Sequence, residues 1–170
     1  ISNITGSKTK KIVLRKYYIL IICIILVLQS GLRNVAVGAD TYNYFYHFER
    51  SKNFSWDYII HEFISYFSSG VGKDPGYLIF QKVIQYLIPS YQLFLLFVAS
   101  IFFTSLGIFI LRNTRGLRET IISFLIYSCL FYSFYSITGI RQTIATAAIL
   151  WGYDFIKKRK LIPFVILVLI

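Results

Sequence analysis

An all-α fold is predicted, a polytopic bundle of transmembrane helices with a long outer loop that carries short amphipathic helices. Three observations predict it. Residues of apolar type make up 56% of the chain and aromatic ones 19%, and the mean hydropathy is +0.64. The apolar runs recur between short basic clusters, and they lack the polar face that a soluble helix needs. The basic clusters also alternate with the runs in the way that membrane insertion requires. At 170 residues the chain reads as one membrane-embedded domain spanning 1–170. It starts at Ile1, contains no methionine and stops within "LIPFVILVLI", so a fragment of a longer protein is expected.

A helical crossing takes about 20 apolar residues. In chain order, residues 17–32, 91–111, 121–138 and 139–156 meet or approach that length, and 161–170 looks like the start of a fifth span. Pro163 falls in the first turn of that last run, where a proline is tolerated. The run before Gly31 could be taken for a cleaved signal peptide, but more spans follow it rather than a soluble domain. Cys23 and Cys129 lie inside apolar runs and read as small packing residues, with no disulfide framework implied.

Lys8 to Lys16, Arg112 to Arg118 and Lys157 to Lys160 fall on one side when four spans are drawn, and the positive-inside tendency makes that side cytoplasmic. Twelve of the eighteen basic residues but only two of the seven acidic ones, Glu119 and Asp154, then lie inside. The net charge of +11 is thus explained by insertion and by anionic lipid, and nucleic acid is not a partner. Membrane lipids are.

The outer connection, residues 33–90, holds both histidines and five of the acidic residues. Within it, "WDYIIHEFISYF" (Trp56 to Phe67) and "GYLIFQKVIQYLIP" (Gly76 to Pro89) show helical spacing of apolar residues and read as interfacial helices, joined by a turn-rich linker. Gln81, Lys82 and Gln85 sit among apolar neighbours in the second. Trp56 and the many tyrosines suit a headgroup belt without any ligand.

Three short stretches carry candidate chemistry. Arg33 closes the first span, where it either snorkels to the interface or serves a site. In "GADTYNY" (Gly38 to Tyr44) Asp40 is either the N-cap of a helix starting at Thr41 or a carboxylate that accepts from a substrate hydroxyl or pairs with an arginine. In "SITGIRQTIATAAIL" (Ser136 to Leu150) the turn between two spans is so short that Arg141 and Gln142 lie at or just below the outer surface. An ionisable group at that depth is costly unless it faces protein or a watery cleft, and the small residues after it permit close helix packing. Arg141 is therefore expected in a cleft shared with Arg33 and Asp40. "HEFIS" (His61 to Ser65) lacks the second histidine of a zinc-protease helix, the cysteines have no metal spacing, and no glycine-rich phosphate loop follows a strand. No metal and no cofactor are expected.

At these residues the sequence resembles the EpsG family of bacterial exopolysaccharide biosynthesis, related in role to the Wzy-type polymerases. "GLRNVAVGADTYNY" (Gly31 to Tyr44) is similar to the family's arginine followed by Gly-x-Asp-Thr and a tyrosine outside a span. "KDPGY" (Lys73 to Tyr77) is similar to its acidic-Pro-Gly-Tyr element, and "GIRQTIA" (Gly139 to Ala145) to its Arg-Gln hairpin. Ala39 stands where a threonine is expected and Asp74 where glutamate is commoner.

The resemblance implies a multi-pass protein of the bacterial cytoplasmic membrane, a glycosyltransferase-type polymerase. It would join undecaprenyl-diphosphate-linked oligosaccharide repeats at the outer face, alongside other exopolysaccharide assembly proteins. Arg33 and Arg141 would stabilise the departing diphosphate, because a guanidinium fork bonds phosphate oxygens bidentately. Asp40, with Asp74 or His47 in its place, would position or deprotonate the acceptor hydroxyl. Tyr42, Tyr44, Asp74, Tyr77, Gln142 and His47 would bind substrate. The competing readings are a non-enzymatic transporter or flippase subunit that guides the glycan, and a ligase drawing on the same carrier.

Overall fold

The computed structural model describes residues 2–38, 40–70 and 74–169. Ala39 and Lys73, two of the residues in the quoted motifs, lie outside the described residues. The architecture is all-α, with no strand among the described residues. A long helix α1 (Ser2–Gly31) is followed by three short ones, α2 (Thr41–Ser51), α3 (Trp56–Ser69) and α4 (Pro75–Leu87). Helix α5 (Tyr91–Asn113) and helix α6 (Leu117–Ile126) come next, and α6 runs on as a π-helical segment, Tyr127–Thr138. Helices α7 (Ile140–Lys157) and α8 (Leu161–Leu169) complete the chain.

Among the described residues three stretches are long and apolar enough to cross a membrane: Lys11–Gly31, Tyr91–Asn113 and Leu117–Thr138. The sequence suggested a fourth span at 139–156. The α7 helix is there, but Arg141, Gln142 and Asp154 dilute its apolar character, and it does not reach the same standard.

The centre of the bundle is α5, which is apolar all round and buries Phe94, Leu95, Val98, Phe102, Phe103 and Ile110 among other residues. A helix without a polar face is stable only when other elements or lipid cover every side. Two glycines set how closely α1 approaches α5. A Cβ on Gly31 would fall 2.8 Å from the Leu96 Cα, and one on Gly107 would fall 2.8 Å from the Cys23 Sγ. Small residues at a crossing let two backbones meet, a packing device suited to lipid, where burial of apolar surface gives no drive. The same two contacts make α1 and α5 antiparallel.

The basic clusters gather at one end of this bundle. Arg15 donates to the carbonyls of Thr114 at 2.6 Å and Leu111 at 3.2 Å, closing the C-terminus of α5, and Arg112 forms an ion pair with Asp154. A cation at a helix C-terminus meets the negative end of the dipole and bonds carbonyls that have no partner within the helix.

The opposite end carries α2, α3 and α4. Thr41, Tyr44, Phe48 and Ser51 form the buried stripe of α2, and Phe48 packs on Tyr91 and Phe94 of α5. Ser55 caps α3 by accepting from the Tyr58 amide, and Gly70 ends the helix in the left-handed region at φ 68°. Ile60, Ile64 and Phe67 of α3 stay exposed, as an interfacial helix requires. The polar trio in α4 has a structural purpose. Gln81 donates to the Ser51 Oγ at 2.7 Å, Lys82 to the Ser51 and Lys52 carbonyls at 3.1 and 3.0 Å, and Gln85 to the Phe48 carbonyl at 2.6 Å. Three side chains of α4 thus clamp the C-terminus of α2, and the lysine charge suits that helix end.

Candidate functional site

The clamp holds α2 and α4 side by side, and the N-terminus of α7 meets them at the membrane end of the gap. A cleft of about 340 Å³ results, lined by Tyr44, His47 and Arg50 of α2, Phe54 and Tyr58 beyond it, Asp74, Tyr77, Leu78 and Gln81 at α4, and Arg141 of α7. Arg141 is its focus. The guanidinium pairs with the Asp74 carboxylate, donates from Nε to the Tyr44 hydroxyl at 3.3 Å, and lies 5.5 and 5.8 Å from the ring centroids of Tyr44 and Tyr77. Those rings meet edge to face at 6.2 Å, so they form an electron-rich corner for the cation.

Local backbone aims these groups. Arg141 is the second residue of α7, in the first turn, where amide groups point out of the helix and favour an anion. Asp74 precedes α4 in the left-handed region, at φ 49° and ψ 57°, which an Asp tolerates better than most residues. Its carbonyl accepts from the Tyr77 amide at 3.0 Å. Pro75 opens the helix with a suitable φ and no orphaned amide. Burial pushes the Tyr77 phenol well above its ordinary pKa, so the hydroxyl stays neutral. Among the described residues no cluster of His, Cys, Asp or Glu is placed to hold a metal ion.

Of the residues singled out in the sequence, the cleft brings together Arg141, Asp74, Tyr44, Tyr77 and His47. It does not bring in Arg33 or Asp40, so the shared cleft expected for Arg141, Arg33 and Asp40 does not form. Asp40 holds the N-cap position of α2, but its side chain makes no capping bond and is exposed. Tyr42 is 67% exposed, its ring meeting that of Phe45. Gln142 is exposed, its amide oxygen turned back over Gly139.

Arg33 turns inward instead. Its Nη1 donates to the carbonyls of Ser30 at 2.8 Å and Ser136 at 2.7 Å, and the Ser30 hydroxyl donates to the same Ser136 carbonyl at 2.6 Å. One guanidinium therefore closes two helix C-termini, that of α1 and that of the π-helical segment, both of which end with unpaired carbonyls. Burial lowers the pKa of Arg33 from its ordinary value, though a guanidinium remains charged. Arg33→Met should orphan the Ser30 carbonyl and leave the Ser136 carbonyl only the Ser30 hydroxyl, at about 1–3 kcal/mol for an orphaned group. The apparent melting temperature in detergent should fall on the order of 5–10 °C; an unchanged value would remove Arg33 from the scaffold.

Sequence reading overlooked Arg50, Phe54, Tyr58 and Leu78 as lining residues. A signal for Arg50 was present: His47 follows Tyr44 by three residues and Arg50 follows His47 by three, so each neighbours the next along α2. Phe54 and Tyr58 follow a turn and reach the cleft only through tertiary packing.

Comparison with known proteins adds one finding. The family model described as EpsG family matches residues 16–170. No curated protein and no solved structure matches the chain.

Proposed function

The chain belongs to the EpsG family and is a membrane protein of polysaccharide biosynthesis; we propose that it is a polymerase extending a glycan carried on a lipid diphosphate. The observation that carries this reading is Arg141: an arginine in the first turn of a helix, backed by two tyrosine rings and opening into a cleft at the end of the bundle away from the basic clusters. A lipid diphosphate keeps its tail in the bilayer and its charge at the surface, so its receptor must lie where spans end. The carrier is the undecaprenyl type that the resemblance implies, and the cleft faces the outside.

In the proposed step the acceptor hydroxyl oxygen attacks the anomeric carbon of the growing chain. The new C–O bond forms as the bond from that carbon to the diphosphate oxygen breaks, and the electron pair leaves with the diphosphate. Arg141 and the α7 N-terminus stabilise the charge that develops there. Asp74 receives the hydroxyl proton. With no substrate, Asp74 is paired to Arg141. An arriving diphosphate competes for the guanidinium and releases the carboxylate beside the acceptor, so that binding exposes the base. This assigns to Asp74 the role first considered for Asp40, which lies outside the cleft. Tyr44 and Tyr77 hold the guanidinium in place, and His47 binds the acceptor.

Glycan length in cells with and without the full-length protein tests the reading. Loss of the carrier-linked ladder on deletion is expected. Ladders that persist while finished polymer stays unattached would indicate a ligase, and accumulation of unpolymerised repeats inside the cell a flippase; either defeats the proposal. In the same cells a membrane-impermeant thiol reagent should label a cysteine placed at Asn53 and spare one at Asn113. The reverse pattern would put the cleft on the wrong side.

A further inference from the structure

The cleft holds a second arginine that the proposed reaction does not use. Arg50 lines the same cavity as Arg141, yet no described carboxylate pairs with it: Glu49, its neighbour in sequence, is taken by Lys52, and Asp74 by Arg141. Its guanidinium carbon lies over the face of Phe54, 6.0 Å from the ring centroid. A cation in the last turn of α2 favours the helix dipole, but Lys82 already occupies the terminal carbonyls, so that end is served without it.

Position along α2 shows what Arg50 can reach. Tyr44, which touches Arg141, and Arg50 are six residues apart on α2, a rise of about 9 Å along its axis, and both line the cleft. Arg141 enters the cleft from the first turn of α7 and Arg50 from the last turn of α2, so the two are set to meet different groups of one ligand. The same cleft is lined by His47, by the rings of Tyr58 and Tyr77, and by Gln81. Aromatic faces and amide groups of this kind suit a sugar ring, apolar on its faces and hydroxylated at its rim.

We infer that Arg50 is a specificity residue that recognises a carboxylate on a sugar of the glycan repeat, so the protein's substrate is an acidic oligosaccharide. The inference rests on the reading of the cleft as a glycan site. A neutral sugar in the same place offers the guanidinium no anionic partner, whereas a uronic acid supplies the matching fork. Since the side chain of Arg50 is exposed, its replacement disturbs no packed core.

Calorimetric titration of the purified protein in neutral detergent micelles separates the possibilities, with trigalacturonate, maltotriose and inorganic pyrophosphate as probes. Wild type should bind trigalacturonate on the order of tenfold more tightly than maltotriose, and Arg50→Gln should bring the two to equal affinity. Equal affinities in wild type, or an acidic preference that survives Arg50→Gln, overturn the inference. Pyrophosphate reports on Arg141 alone: its binding should weaken in Arg141→Gln. Either overturning result, with pyrophosphate binding intact and dependent on Arg141, defeats only the role of Arg50, whereas pyrophosphate binding indifferent to Arg141 defeats the reading of the cleft itself.

Discussion

Asp74→Asn is expected to lower polymer formation by about two to four orders of magnitude at equal membrane abundance, the range by which a positioned general base accelerates proton transfer. The substitution is unusually clean. Asparagine shares aspartate's tolerance of the left-handed region, so the φ of 49° at this position and the start of α4 survive it. What it removes is the proton acceptor and the charge opposite Arg141. Asp40→Asn is the matched control. Asparagine caps a helix as well as aspartate does, and the Asp40 side chain is exposed and makes no cap bond, so activity should stay near wild type. Ladder formation measured for both variants decides between the two carboxylates. If Asp40→Asn abolishes ladders and Asp74→Asn does not, the base lies outside the cleft and the mechanism proposed here fails.

Arg141→Lys should slow polymer formation on the order of ten- to a hundredfold. Lysine keeps the positive charge but replaces a planar fork by a point donor. In this cleft the fork has several simultaneous tasks: one nitrogen faces Asp74 and Nε donates to the Tyr44 hydroxyl, while the flat guanidinium rests near two aromatic rings. An ammonium can retain one of these contacts and would lose the bidentate grip proposed for the diphosphate. Loss of one charge-assisted contact is worth about 1.5–3 kcal/mol, which sets the fold-change quoted. Protein abundance in the membrane should not change, because the residue belongs to the cleft and not to the α1 and α5 contact. Thermal stability measured with activity separates this outcome from that of Arg33→Met, in which both fall together. Wild-type ladders from Arg141→Lys would reduce the residue to a balancing charge.

The two arginines show how position in sequence can leave function open. Arg33 and Arg141 both follow or begin a span, both break the positive-inside pattern, and both suit phosphate. Nothing local distinguishes them. Their difference comes from the helix ends beside them: Arg33 stands at two C-termini, whose free carbonyls take its donors, whereas Arg141 stands in the first turn of α7, where the free backbone groups are donors and cannot satisfy it. The same contrast separates the aspartates. Asp40 and Asp74 each precede a helix, but only Asp74 lies opposite a cation, because the clamp of Gln81, Lys82 and Gln85 on α2 fixes how α4 is set against α7.

The amino-acid sequence by itself determined the all-α membrane class, the apolar helices, the alternation of basic clusters and the concentration of titratable groups between 33 and 90. Each of these follows from composition and period along the chain, since lipid demands that a spanning segment satisfy its own backbone and the demand is written residue by residue. Which arginine faces inward, which aspartate reaches it and where the second arginine of the cleft stands were decided only by the tertiary structure. Those outcomes depend on helices brought together across tens of residues, and on which end of a neighbouring helix, donor or acceptor, each side chain meets.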